Sequence, residues 1–86
     1  MLDEALKTKI RNEFNQEEFL AVKEALLSVS LAHVMANSEY NLNNTRHAIV
    51  QLAQGNMDVL KNMVDAAKLD FRNVILWASE QEHKKK

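Results

Sequence analysis

Residues 16–36 read QEEFLAVKEALLSVSLAHVMA, a run of 21 positions with no Gly and no Pro. How this run folds decides what the rest of the chain packs around. At 100° per residue, Phe19, Val22, Leu26 and Val29 share one helical face, and Leu20, Leu27, Leu31 and Val34 form a second face beside it. Met35 and several Ala widen the apolar arc. A helix that is apolar over most of its circumference is buried by neighbours on several sides. The pattern therefore predicts one long helix from about Gln16 to Ala36, reaching toward Tyr40, at the centre of an all-α bundle of four to five helices.

The start of this helix is marked by FNQEEF at 14–19. Asn15 stands at an N-cap position, and Glu18, three residues later, completes the spacing of a capping box. Phe14 and Phe19 flank the cap at the positions of a hydrophobic staple. Upstream, Leu2, Leu6, Ile10 and Phe14 recur every four residues, the mark of a short surface helix with one narrow apolar stripe.

Downstream, NSEYNLNNTRH at 37–47 reads as a polar joint. Asn37 suits a left-handed helix end, and Asn43, Asn44 and Thr45 suit a new helix start. A third helix is expected over 46–54 with Ala48, Ile49, Leu52 and Ala53 inward, ended by Gly55, the one glycine in the chain. Asn56 caps a fourth helix over 57–68, with Met57, Val59, Leu60, Met63, Val64, Ala66 and Ala67 on its apolar half. Asp70 caps a fifth helix over 71–81, with Phe71, Val74, Ile75, Trp77 and Ala78 inward and Leu76 projecting on the polar side. Residues 1–81 are expected to make a single helical domain, and 82–86 a frayed basic tail.

Composition narrows the classes of function. At 86 residues there is room for one core, and 47% hydrophobic against 27% charged residues is a globular balance. There is no Cys, which removes disulfides, thiolate metal sites and Cys nucleophiles. The charged first helix has no continuous apolar run, so the expected location is the cytoplasm, with no membrane partner. A net charge of −1 gives no global field toward nucleic acid.

Candidate chemistry is sparse. Asn43-Asn44-Thr45 fits the glycosylation acceptor pattern, and cap chemistry explains the same three residues. Glu80-x-x-His83 is half of a di-iron helix motif without its second copy. His33 and His47 have no ligand at a useful helical spacing. His33 is expected beside the Val22/Leu26 face, hydrogen-bonded locally, with Ser30 as a neighbour three residues away. No Gly-rich phosphate loop occurs. The expectation is therefore no catalytic, cofactor-binding or metal-binding residues, and no enzyme.

Two readings of function remain ahead of an enzyme with an unrecognised site. Residues 46–68 have the gross shape of a helix-turn-helix, a DNA-binding element, but the exposed face of the fourth helix mixes Asp58 and Asp65 with Lys61 and Lys68. The leading reading is a small non-catalytic protein acting through a protein partner or a second copy of itself. Its candidate interface is Leu20, Leu27 and Leu31 on the second face of helix 2, Tyr40 and Leu42 in the Asn-rich joint, and Leu76.

Overall fold

The computed structural model describes residues 2–34 and 38–84, and these fold into helices and turns with no strand. Helix α1 (Glu4–Glu13) is followed by a 3-10 turn (Gln16–Glu18) that leads directly into α2 (Phe19–Leu27). A second 3-10 turn (Leu31–His33) precedes α3 (Glu39–Ala53) and α4 (Met57–Lys84). Inside α4, Asp70 is extended, with φ −160° and ψ 101°, so the run is two helical segments, 57–69 and 71–84.

Most of the boundaries that rest on local chemistry lie where the sequence puts them. Asp3, not singled out from the sequence, caps α1 by accepting the Leu6 N–H at 2.7 Å. Asn15 and Glu18 form a capping box, with the Glu18 carboxylate accepting the Asn15 N–H at 3.2 Å. Asn56 Oδ1 accepts from the N–H groups of both Asp58 and Val59. Asp70 accepts the Arg72 N–H and opens the last segment. That segment continues to Lys84, beyond the end expected near Gln81.

Two expectations are overturned. Helix 2 is not long: α2 ends at Leu27, and Ser30 and Val34 are extended on either side of the second 3-10 turn. The predicted Met35–Ala36 end of that helix and the Asn37 terminator lie outside the described residues. The Asn-rich stretch is not a joint either. Ser38 caps α3 by accepting the Asn41 N–H at 3.2 Å, so Asn41, Asn43, Asn44 and Thr45 are all inside the helix. Thr45 is fully buried and donates its hydroxyl to the Asn41 carbonyl at 2.7 Å, a bond that satisfies the hydroxyl within the helix.

The central element is therefore α3 rather than helix 2. Leu42, Thr45, Arg46, Ala48, Ile49, Val50 and Ala53 are all buried, an arc of roughly 200° at 100° per residue. In α2 only Val22 and Leu26 are fully enclosed. The largest helix–helix interface is α3 against α4, and α1, α2 and the second 3-10 turn lie across this hairpin. Leu2, Leu6, Ile10 and Phe14 are all buried, as their four-residue spacing predicts. They meet Val22 and Leu26 of α2, Ile49 and Val50 of α3, and Leu60, Val64, Val74 and Ala78 of α4 in one core.

The α3–α4 turn is closed by two left-handed residues. Gln54 has φ 48° and Gly55 has φ 80°. A Cβ on Gly55 would stand 2.5 Å from the Glu13 carbonyl oxygen, so the turn also touches the end of α1. Gly55→Ala should cost about 2 kcal/mol or more, from the left-handed backbone and the backbone clash together. Gln54→Gly relieves the left-handed penalty alone and should stabilise the fold by about 0.5–1 kcal/mol. Urea unfolding of both variants checks this pair of opposite signs.

Candidate functional site

Of the six residues that the sequence nominates as an interface, the structure separates three from the rest. Tyr40 is 76% exposed, Leu20 62% and Leu76 56%. Leu27 and Leu31 are half-buried and pack against the core. Leu42 is a correction: it turns inward from α3 and belongs to the core. Tyr40 and Leu42 thus point in different directions because two residues on a helix are 200° apart, a relation hidden when the stretch is read as a loop.

The exposed apolar surface is concentrated on α4. Leu69, the last residue before the Asp70 break, is 91% exposed, and Trp77 beside Leu76 is 39% exposed. Leu69 is missed by the periodic reading because it follows the last inward residue of one segment and precedes the cap of the next. Trp77 is expected on the inward face and sits instead at its edge. In the 71–84 segment, Phe71, Val74 and Ala78 define the buried side, and Leu76 lies opposite with Arg72 and Glu80 one turn to either side. Arg72 is held there by Asp70. Its Nε and Nη2 donate to the two carboxylate oxygens at 3.0 and 3.1 Å. This pairing lowers the Asp70 pKa, and it raises that of Arg72. Leu76 thus stands on the exposed side of this segment between a paired Arg72 and Glu80.

A second region is built around Arg46. It is 7% exposed, and its Nε donates to the Leu26 carbonyl at 3.1 Å while Nη2 donates to the Val29 carbonyl at 2.8 Å. No carboxylate lies within ion-pair distance among the described residues, and burial lowers its pKa. The guanidinium therefore serves at the C-terminal end of α2, adding a second donor to the Leu26 carbonyl and supplying one to the Val29 carbonyl beyond it. A sequence signal existed: Arg46 follows Leu42 by four and precedes Ile49 by three, which puts it on the inward side of α3. An open groove beside it is lined by Leu2, Asp3, Ser30, Leu31, Glu39 and Asn43 among others.

His33 stands next to this cap. Its Nδ1 accepts the Ser30 N–H at 3.0 Å and lies 3.2 Å from the Ser30 hydroxyl, so the ring closes a capping box on the second 3-10 turn. The local hydrogen bond expected with Ser30 is present. His47, on α3, approaches Asp3 at 3.3 Å between Nε2 and Oδ2 and so ties the start of α1 to α3. Glu80 and His83 are both exposed, and no group of three metal-ligating side chains forms among the described residues. No helix among the described residues is long and apolar enough to cross a membrane.

The segment 46–68 does form helix, turn and helix. Its basic residues are not gathered, however. Arg46 is consumed by the α2 carbonyls, and Lys61 and Lys68 share the exposed side with Asp58 and Asp65. The chain matches no family model, and it matches no curated protein and no solved structure.

Asp3 makes the α1 junction sensitive to acid. The Leu6 N–H holds its carboxyl below the usual range; burial opposes this, and Asn43 and His47 add smaller lowering effects. A carboxyl whose folded pKa is depressed contributes stability that is present above its unfolded pKa, about 3.9, and is lost as pH falls through the folded value. Asp3→Asn retains a capping oxygen and removes the charge. The variant should therefore show a shallower fall in urea midpoint below about pH 4 than the wild type.

Proposed function

We propose that this chain is a non-catalytic interaction protein that binds a protein partner, or a second copy of itself, through the outer side of α4. The reading rests on one observation: Leu76 and Trp77 stand exposed on the last helical segment, and Leu69 stands exposed at the end of the segment before it, across the Asp70 break. Isolated exposed apolar residues are ordinary, but three within nine positions, with the Arg72–Asp70 pair between Leu69 and Leu76 in the chain, are a concentration that association would cover. Leu20 and Tyr40 are exposed on other elements and serve as secondary contacts at most. A DNA-binding role for 46–68 is the rival, and the balanced charge of that segment weighs against it.

The test uses the full chain as wild type and as a Leu69→Ser, Leu76→Ser double variant. Both positions are exposed, so each change should leave stability within about 0.5 kcal/mol. Sedimentation across concentration reads self-association, and immobilised protein in lysate of its native cell reads partner capture. The double variant should weaken whichever association the wild type shows by at least about tenfold, as expected when central apolar contacts are lost. A wild type that is monomeric throughout and retains no protein that the variant releases overturns the reading. Retention on DNA at low salt would favour the rival.

A further inference from the structure

We propose that residues 28–33 are a domain-swap hinge latched by Arg46, and that release of the latch lets two copies of this chain exchange residues 2–27. Nothing in the local sequence forces the helix to stop after Leu27. The run 16–36 has no Gly or Pro, and its apolar positions continue in helical register through Val34. Beside the local Ser30–His33 bonds, the break is held by a partner from another element: Arg46, 20 residues away from Leu26 and 17 from Val29.

The hydrogen bonds at the break can be exchanged atom for atom. In the structure the Leu26 carbonyl accepts from Val29 N–H and Arg46 Nε, and the Val29 carbonyl accepts from Arg46 Nη2. The Ser30 N–H goes to His33 Nδ1, and the His33 N–H to the Ser30 carbonyl. In a continuous helix Leu26 would accept from Ser30, and Val29 from His33, by the ordinary four-residue rule. Both carbonyls keep a donor. Arg46 gives up two acceptors and His33 Nδ1 gives up the Ser30 N–H; of the two, Arg46 alone comes from another element, and that makes it the latch.

Straightening has one stable outcome. A helix from Phe19 to Val34 would be roughly 24 Å long at 1.5 Å per residue, and it would carry α1 away from its own α3 and α4. Leu6, Ile10, Phe14, Val22 and Leu26 would then be uncovered unless another open copy supplied the same α3–α4 surface. The occupant is therefore a second copy, with the native contacts remade between chains and new contacts confined to the straightened helix. Those new contacts have a pattern. Leu20, Glu24, Leu27, Leu31 and Val34 follow the alternating four-three spacing of a heptad seam on a continuous helix. Leu20, exposed in the closed form, would gain a neighbour there. The proposal uses none of the outer α4 residues, so it stands or falls apart from the interaction surface above.

The experiment compares the full-length wild type, Arg46→Met, and Arg46→Met combined with Leu31→Pro. Leu31 is the first residue of the 3-10 turn, where proline is tolerated, and Ser30 before it is already extended at φ −121° and ψ 177°. In a continuous helix the same proline would remove a donor and clash. Sedimentation reads the dimer, and NMR carbon shifts at 28–33 read hinge helicity. Arg46→Met should raise the dimer fraction constant at least about tenfold, with helical shifts through the hinge, and adding Leu31→Pro should restore a monomer. A folded Arg46→Met that stays monomeric, or that dimerises with the hinge still broken or despite Leu31→Pro, overturns the proposal. Should Arg46→Met not fold, wild type and Leu31→Pro are refolded from urea at high concentration. A dimer formed by the wild type and not by Leu31→Pro supports the hinge, and equal behaviour of the two overturns it.

Discussion

The guanidinium of Arg46 holds together parts of the chain that have no local reason to meet. A buried cation without a carboxylate is costly unless its donors find oxygens. Here the oxygens are the Leu26 carbonyl in the last turn of α2 and the Val29 carbonyl just past it, where i+4 donors are missing and the dipole favours positive charge. Arginine suits this better than lysine, because its planar fork reaches two carbonyls three residues apart at once. One side chain thereby fixes where α2 stops, sets the 3-10 turn against α3, and leaves α3 enclosed on several sides.

That arrangement explains which parts of the fold were legible. Caps are local: Asn15 with Glu18, Asn56 and Asp70 each bond to a backbone group within three residues, and the structure finds all of them in place. The four-residue stripe of α1 is local too, and its residues are buried as read. The length of helix 2 is different. Propensity and periodicity in 16–36 favour continuation, and the bonds that interrupt it come from α3. Reading along the chain sees the helix former and not the distant competitor, a case of tertiary contacts overriding local preference.

The Asn-rich stretch failed for the opposite reason. Asn, Ser and Thr prefer caps and turns because their side chains compete for backbone groups. Inside α3 that competition is resolved case by case. Ser38 takes the cap, Thr45 bonds back to Asn41, and Asn43 turns to Asp3, which lowers the carboxyl pKa. Once the stretch is helical, Leu42 and Arg46 fall on one face and enter the core, while Tyr40 falls on the other. The surface was partly legible by the same logic: Leu76 stood out on a polar face, whereas Leu69 could not be placed without knowing how the chain turns at Asp70.

The two assignments of Leu20 and Leu76 rest on different physics. Leu76 is exposed on a helix whose inner side is already satisfied by Phe71, Val74 and Ala78, so covering it requires a partner from outside. Leu20 is exposed on a helix that the sequence would continue, and straightening that helix changes its neighbours without any foreign protein. Exposed apolar area alone does not separate a docking surface from an unspent folding contact. What separates them is whether the main-chain bonds around the residue have a second, equally complete arrangement. Around Leu76 no alternative to its regular helix is apparent, and beside α2 the exchange of Arg46 for Ser30 and His33 donors provides one.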